Sequence, residues 1–287
     1  MAPIMNRNTR CAPRVTASVP SRILGRVQAG DYRYFDTRFA ALAHRGGYLC
    51  PDDQPRENTL HAFRSAVEYG YRYLETDVHT SSDGVLFSFH DNTLDRVTDG
   101  RGAPEALPWH ELSRLRVAGT DPIVTMDELF ETLPEARFNI DLKVARAVEP
   151  LARAIDAHRA HDRVCVGSFS QARLSAFRRL VGRRVATSVG APGIALRAYA
   201  PGVRRLVRSP GVALQIPVRA WHDRLPVVTR GLVRSAHQAG RVVHVWTVNE
   251  ADEMHRLIDL GVDGLVSDRI DVLRDVLIER DLWEGNR

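Results

Sequence analysis

The sequence predicts an α/β fold, and within that class a closed (β/α)8 TIM barrel. Short apolar runs alternate with helical patterns from about residue 40 onward, and eight strand-then-helix units can be counted. The units occupy about 250 residues, the usual size of such a barrel. Strands that alternate with helices imply a parallel sheet with helical crossovers. An open, doubly wound sheet is the competing architecture.

The first unit consists of a strand at 41–47 and a helix within 57–70. In this helix Leu60, Phe63 and Val67 follow the three-four spacing of a buried helical face. The second unit has its strand at 72–80 and its helix at 125–134. The other six units follow closely. Their strands are predicted at 138–144, 164–170, 184–190, 212–218, 242–248 and 263–268. Their helices are predicted, in the same order, at 147–160, 171–181, near 193–206 (a weak helix), 228–240, 250–261 and 269–281.

Residues 81–120 are predicted to form a small insertion between the second strand and its helix. A turn at 82–84 precedes a strand-like run at 85–90. Loops at the C-terminal rim of a barrel carry the active site in nearly every barrel enzyme. The insertion is therefore expected to lie beside the site.

The chain is predicted to divide into an N-terminal extension, residues 1–38, and a barrel domain, residues 39–287. The extension carries five arginines before residue 30 and no acid before Asp31. It lacks the continuous apolar segment of a secretory signal. A flexible arm is the favoured interpretation, although a transit-type peptide has a similar composition.

The composition of the chain indicates the cellular compartment and the classes of partner that we expect. The three cysteines are without metal-site spacing, which suits a reducing compartment and predicts a cytoplasmic protein. No apolar run is long enough to span a membrane. The net charge of +5 is spread over arginines that stand beside acids, so nucleic acid is not the expected partner of the barrel. Salt-dependent nucleic-acid binding by the arm stays possible as an addition. The oligomeric state is not predicted.

Two neighbouring strands place acids on the same face. Because side chains alternate along a strand, Glu75 and Asp77 share one face of the second strand, and Asp141 and Lys143 share one face of the third. In a barrel these faces converge inside, near the C-terminal end. Lys143 is the only lysine among 40 basic residues.

Three carboxylates in one pocket of low dielectric repel each other, and Lys143 alone cannot balance them. A hard divalent cation with oxygen ligands would do so. Beside it, the compact ammonium of a lysine would contact one phosphate oxygen where the wider fork of an arginine finds no room. The alternative is a buried ion-pair network without function.

The motifs AHRGG, ENT, LETDVHTSSDG, FSFHDNTLDRVTDG, NIDLK, VHVWTVN and DGLVSD follow one another between about residues 41 and 275. This combination resembles the glycerophosphodiester phosphodiesterases, whose barrel is of the phosphatidylinositol-phospholipase-C-like type. The resemblance implies a metal-dependent phosphoric diester hydrolase that splits glycerophosphodiesters into glycerol 3-phosphate and an alcohol. The implied ion is Mg²⁺ or Ca²⁺, with Mn²⁺ as a further candidate.

Together with the strand faces, the resemblance assigns expected roles to nine side chains. The roles are acid–base catalysis for His44 and His90, substrate binding for Arg45, Lys143 and Trp246, metal binding for Glu75, Asp77 and Asp141, and a position at the metal or beside its ligands for Glu57.

The sequence departs from the family pattern at two places. Asp141 stands where the family usually has Glu, and its side chain is one methylene shorter, so contact with the metal is expected to be less direct or through water. Residues 267–270 replace a Thr-Asp-x-Pro segment, and no role is assigned to them. The nucleophile, either a metal-bound water or the glycerol 2-hydroxyl, is left open, as is the choice of acid and base between the histidines.

Two other functions compete with this hypothesis. A phospholipase-D-like barrel enzyme that acts on lysophospholipids or sphingolipids would need an apolar entrance, which 189–207 and 217–228 would supply. A non-catalytic binding protein on a degenerate barrel would not need the set of histidines, acids and lysine that this chain retains.

Overall fold

The computed structural model describes residues 27–50, 56–199, 209–220 and 225–285. Within these ranges the strands are β1 (Ala40–Tyr48), β2 (Tyr73–Thr80), β3 (Leu86–Ser88), β4 (Arg116–Val117), β5 (Asp121–Pro122), β6 (Arg137–Leu142), β7 (Val164–Gly167), β8 (Ala186–Thr187), β9 (Ala213–Pro217), β10 (Arg219–Ala220), β11 (Leu225–Pro226), β12 (Val242–Trp246) and β13 (Gly264–Arg269). The helices are α1 (Leu60–Glu68), α2 (Trp109–Leu112), α3 (Met126–Thr132), α4 (Val148–Ala157), α5 (Gln171–Val181), α6 (Ala191–Tyr199), α7 (Arg230–Gln238), α8 (Ala251–Leu260) and α9 (Ile270–Glu279).

Eight parallel strands form a barrel in the order β8, β7, β6, β2, β1, β13, β12 and β9. The ends of this row meet, because the N–H of Val189 donates to the carbonyl of Ala213 at 2.7 Å and the N–H of Val212 donates to that of Thr187 at 2.8 Å. We call this β8–β9 junction the seam. The predicted barrel is confirmed, and the open sheet is wrong.

The main hydrophobic core lies between the barrel and its helices. Leu74, Phe138 and Ile140 point outward from β2 and β6 and are fully buried. Phe63 of α1 and Phe177 of α5 are buried against the same layer. The alternation of outward apolar and inward polar residues in β2 and β6 therefore follows directly from the strand geometry.

A second core fills the N-terminal end of the barrel and includes residues that the sequence places in the extension. Residues 27–38 form two short 3₁₀ turns, and Tyr34 is fully buried. Its carbonyl accepts hydrogen bonds from Tyr73 Oη at 2.6 Å and from Arg137 Nη1 at 3.2 Å. The predicted flexible arm otherwise falls on residues 1–26, which lie outside the described residues.

The insertion after β2 is present and has a small core of its own. Its buried side chains are Phe87, Phe89, Leu94, Val97, Leu112, Val117 and Ile123. Strand β3 pairs antiparallel with the end of β2, so the insertion is fastened to the rim of the barrel.

The weak helix predicted near 193–206 is α6, which begins earlier, at Ala191. It is described as far as Tyr199, and residues 200–208 lie outside the described part. Within the described ranges, no helix combines the length and the apolar character that crossing a membrane requires.

Candidate active site

The strand register sets the key side chains beside one another. His44 of β1 is the partner of Glu75 in β2, and Asp77 of β2 is the partner of Asp141 in β6. Residues in register on adjacent strands point to the same side of the sheet. Here that side is the interior of the barrel, near the carboxyl ends of the strands.

The His-Arg-Gly-Gly segment bends β1 sharply at its end. Arg45, Gly46 and Gly47 have φ angles of 52°, 95° and 65°. A Cβ at Gly46 would lie 2.6 Å from Cβ of Ala62 in α1, so only glycine fits this approach. The bend brings the N–H of Arg45 to within 3.2 Å of Glu75 Oε2, to which it donates.

Lys143 and Arg45 balance the charge of Asp77. The ammonium of Lys143 lies 2.9 Å from Asp77 Oδ1 and 2.9 Å from Asp141 Oδ2, and Arg45 Nε lies 3.2 Å from Asp77 Oδ2. Burial alone would raise the pKa of Asp77, but the two cations outweigh it and hold that pKa below its usual value. Burial opposes the charge of Lys143 as well, yet Asp77 and Asp141 raise its pKa.

The surroundings of Glu75 and Asp141 only partly compensate the negative charge that these two groups carry when ionised. Burial, reinforced by Asp77, raises the pKa of Glu75 to about 7 despite His44 and Arg45. Burial also raises the pKa of Asp141, although Lys143 opposes the shift. The pocket therefore favours a further positive charge beside these two carboxyl groups.

Both predicted catalytic histidines are bonded through Nδ1 to a carboxylate. His44 Nδ1 donates to Asp268 Oδ1 at 2.6 Å, and His90 Nδ1 donates to Asp91 Oδ1 at 2.6 Å. Burial would lower the pKa of His44, but Glu75 and Asp268 raise it. Burial lowers the pKa of His90, with Arg45 and Lys143 acting in the same direction. His44 Nε2 lies 3.8 Å from Glu75 Oε2.

Glu57 lies between two arginines. Arg45 Nη1 donates to its Oε1 at 3.0 Å, and Arg96 donates to both of its oxygens at 2.6 and 3.0 Å. Arg96 also donates to Asp91 at 2.6 Å. Glu57 therefore contacts the predicted phosphate-binding arginine, and the network extends through Arg96 to the partner of His90.

One cavity of about 340 Å³ brings most of the predicted groups together. The predicted residues in its wall are His44, Arg45, Glu75, Asp77, Asp141, Lys143 and Trp246. His90 and Glu57 lie outside this wall, and the His90 side chain is about a third exposed at the rim.

A model of the glycerophosphoryl diester phosphodiesterase family matches residues 44–272 of the 287. The chain belongs to this family. It is 40% identical over 256 residues to the probable glycerophosphodiester phosphodiesterase 2 of Mycobacterium tuberculosis, across 85% of this chain and 93% of that protein. Family membership makes the chain a phosphoric diester hydrolase.

Solved structures of phosphodiesterases share the fold. A putative glycerophosphoryl diester phosphodiesterase from Silicibacter pomeroyi superimposes with a TM-score of 0.71 at 21% identity, over 88% of this chain and 99% of that one. A phosphodiesterase from Oleispira antarctica, in complex with the product sn-glycerol-3-phosphate, gives a TM-score of 0.69 at 23% identity, over 83% and 96%.

The carboxylates of this phosphodiesterase fit a divalent cation in their chemistry. Oxygen donors in a buried pocket with unbalanced negative charge are what Mg²⁺ and Ca²⁺ require. In the described part of the chain, however, no three acids, histidines or cysteines form a ready-made metal cluster. Lys143 lies between Asp77 and Asp141 and contacts both.

The residue that holds His44 is Asp268, which was not predicted from the sequence. Asp268 lies in the segment to which we assigned no role, and Asn249 Nδ2 donates to its other oxygen at 2.9 Å. The sequence did contain a signal for this role, because Asp268 is an acid at the carboxyl end of the last strand, which pairs with β1. Arg96 was also missed, and nothing in the sequence distinguishes it from the other arginines of this phosphodiesterase.

Proposed function

We propose that the chain hydrolyses glycerophosphodiesters to glycerol 3-phosphate and an alcohol, and that it depends on a divalent cation. The observation that carries the proposal is the gathering of an imidazole, a lysine, an arginine and three carboxyl groups in the wall of one cavity. Phosphodiester hydrolysis needs positive charge at the phosphate, and proton transfer to and from oxygen. These groups supply both.

Arg45 and Lys143 are proposed to bind the phosphate. Arg45 Nε is buried and has no hydrogen-bond partner among the described residues, although it lies close to Asp77. A phosphate oxygen would satisfy this N–H, and buried polar atoms are rarely left without a partner. Glu57 holds the other end of the guanidinium, so we assign it to positioning Arg45.

Glu75 and Asp77 are the proposed ligands of the cation, and Asp141 is proposed to contribute through its bond to Lys143 or as a third ligand. A bound divalent ion would polarise the phosphate. The members of this family are generally metal-dependent, which agrees with the unbalanced charge of Glu75. Trp246 is proposed to line the substrate pocket.

His44 and His90 are the proposed proton-transfer groups. Each ring has Nδ1 bound to a carboxylate, so Nε2 is the atom that accepts or donates a proton at the substrate. Asp268 and Asp91 keep the rings in one tautomer and orientation. This is the arrangement by which acid–base histidines are usually held.

The acid–base assignment is tested with His90→Ala, by measuring the release of glycerol 3-phosphate from glycerophosphocholine. Loss of an acid–base group lowers the rate by about 10²–10⁴-fold, so the variant should lose at least ~10²-fold. His110→Ala is the matched control, because His110 is an exposed histidine of the same insertion. A His90→Ala enzyme that stays within about threefold of the control would refute the assignment.

The metal requirement is tested separately by dialysis against excess chelator. Activity should be lost and then restored by Mg²⁺, Mn²⁺ or Ca²⁺. Because a ligand that binds only the native state raises its stability, the restoring ion should also raise the thermal midpoint, and Glu75→Gln should abolish that rise. Full activity in excess chelator contradicts metal dependence.

A further inference from the structure

His90 and its partner Asp91 are neighbours in the insertion, so the hydrogen bond between their side chains does not by itself tie them to the barrel. The backbone just before them is anchored, because the N–H of Phe89 donates to the carbonyl of Asp77 at 3.0 Å. The His90 side chain is nevertheless about a third exposed. The position of its ring therefore depends on what holds the carboxylate of Asp91.

Arg96 holds this carboxylate with two hydrogen bonds. Its Nε donates to Asp91 Oδ2 at 2.6 Å, and its Nη2 donates to Asp91 Oδ1 at 3.1 Å. These bonds are the main reason that the pKa of Asp91 is lowered to about 2, so the carboxylate stays ionised and accepts from His90. A planar guanidinium that binds both oxygens of a carboxylate fixes its direction as well as its distance.

A second edge of the same guanidinium binds the barrel side of the site. Arg96 Nη1 donates to Glu57 Oε2 at 3.0 Å, and Nη2 donates to Glu57 Oε1 at 2.6 Å. Glu57 lies in the junction before α1, and its Oε1 also accepts from Arg45 Nη1 at 3.0 Å. The bonds therefore run without a break from the ring of His90 to the guanidinium of Arg45, by way of Asp91, Arg96 and Glu57.

The insertion has other fastenings to the rest of the chain. Strand β3 pairs with β2, and Arg56, next to Glu57, donates to both oxygens of Asp121 in β5 at 2.6 and 2.9 Å. Asp121 is not part of the cavity wall. The side chain of Arg96 is half exposed, and ion pairs of such residues add little stability. Attachment of the insertion therefore does not account for the four hydrogen bonds of Arg96.

We propose that Arg96 is a positioning residue, which sets the ring of His90 relative to the guanidinium of Arg45. The inference rests on the proposed function, in which His90 transfers a proton and Arg45 binds the phosphate. Without Arg96, Arg45 keeps its contacts with Glu57 and Asp77. The carboxylate beside His90 loses both of its bonds to the guanidinium, so the chemical step should suffer more than substrate binding.

Arg96→Met should therefore lower kcat by about tenfold, the lower end of the effect usual for residues that hold functional histidines, and change KM by less than about twofold. Steady-state kinetics on glycerophosphocholine, measured well below the thermal midpoints of the variants, give both constants. Asp121→Asn is the matched control, because it weakens the neighbouring ion pair between the same two segments and should keep the wild-type kcat. Equal losses in the two variants would overturn the inference, since Arg96 would then only fasten the insertion.

A double-mutant cycle measures whether Arg96 acts through Asp91. Asp91→Asn should lower kcat by about 10–100-fold, and adding Arg96→Met should lower it by less than about a further threefold, because the two residues act as one unit. A further loss of about tenfold in the Asp91→Asn enzyme overturns the inference. A wild-type kcat in either single variant overturns it too. A His90→Ala enzyme with near wild-type activity would instead contradict the proposed function.

Discussion

Asp268 has the same relation to His44 as Asp91 has to His90, and the two bonds are equal in length at 2.6 Å. Asp268 is itself held by Asn249, whose side-chain oxygen accepts from the N–H of Asp268 at 3.0 Å. Asp268 does not line the cavity, so we expect it to affect the substrate through the proposed proton-transfer group His44, as a positioning residue.

Asp268→Asn should therefore lower kcat by about 10–100-fold, the effect usual for partners of functional histidines, with KM changed by less than about twofold. Steady-state kinetics on glycerophosphocholine would measure the split. Asp271→Asn is the control, since Asp271 pairs with Arg269 in the same segment at 2.8 Å. Equal kinetics in the two variants would remove the positioning role.

Three groups contact Lys143. Two carboxylates contact its ammonium, and its carbonyl accepts a hydrogen bond from Arg173. The wider guanidinium cannot occupy the same place between the acids. Lys143→Arg should lower kcat/KM by about 10²-fold, the scale of losing one charge-stabilising donor, while the thermal midpoint stays near that of wild type. Retained activity at an unchanged midpoint would show that any cation suffices there.

At the residue scale, the sequence predicted the positions of those site residues whose placement follows from strand alternation. Glu75, Asp77, Asp141 and Lys143 line one cavity as the alternation predicts. Asp268 was out of reach, because the contact joins residues 224 positions apart and depends on how the last strand meets the first. The direct bond between Glu57 and Arg45 likewise depends on a loop conformation that no periodicity encodes.

At the element scale, the junction before α1 links three elements through Asn58. Asn58 has a φ of 58°, and its side-chain oxygen accepts from Thr76 of β2 at 2.9 Å and from Ser88 of β3 at 3.0 Å. Its amide donates to Asp77 at 3.3 Å. The N-cap of α1 is the next residue, Thr59, whose side chain accepts from the N–H of Ala62.

Asn58→Ala should lower the free energy of unfolding by about 2–4 kcal/mol, since it removes the buried acceptor shared by the Thr76 and Ser88 hydroxyls and forces alanine into the left-handed region. Asn58→Gly should cost less by about 1 kcal/mol, because glycine accepts positive φ freely. Urea midpoints at an unchanged slope would measure both. Identical midpoints for the two variants would show that the backbone conformation contributes nothing.

The sequence predicted which segments form helices more accurately than it predicted where those helices begin and end. The helix expected at 125–134 is Met126–Thr132, which begins after the cap Thr125. The helix expected near 193–206 begins at Ala191 instead, since its start lacks a strong capping signal in the sequence. Element type follows from hydrophobic spacing, and boundaries follow from individual caps.

At the scale of the whole molecule, the two ends of the barrel differ, because one is open and the other is covered. The C-terminal end opens into the cavity, and the N-terminal end is covered by residues 27–38. Tyr34 is the centre of this cover, with its ring edge to face on Tyr73 at 5.3 Å. Strand alternation predicts the barrel, but it carries no information on which segment covers the end, so the packing of residues 27–38 could not be predicted from it.

Tyr34→Ala should lower the free energy of unfolding by about 3–5 kcal/mol, as for other large buried aromatic residues. Tyr34→Phe should cost nothing or add slight stability, because the buried Oη has no hydrogen-bond partner within the described ranges. Calorimetric or denaturant unfolding would measure both changes. A Phe variant as unstable as the Ala variant would show that the hydroxyl is bonded. Neither substitution should alter KM, since the cover lies at the other end of the barrel.

Because of the seam, the two halves of the barrel differ in how well they tolerate a change in the length of a segment. Strands β1, β2 and β6 are locked by continuous ladders, whereas β8 is two residues long and meets β9 at one bridge. A change of length in the segment that follows β8 is therefore expected to leave the acids of β2 and β6 in register. Because α6 in that segment lines the cavity, such a change is expected to reshape the pocket while the acids keep their places.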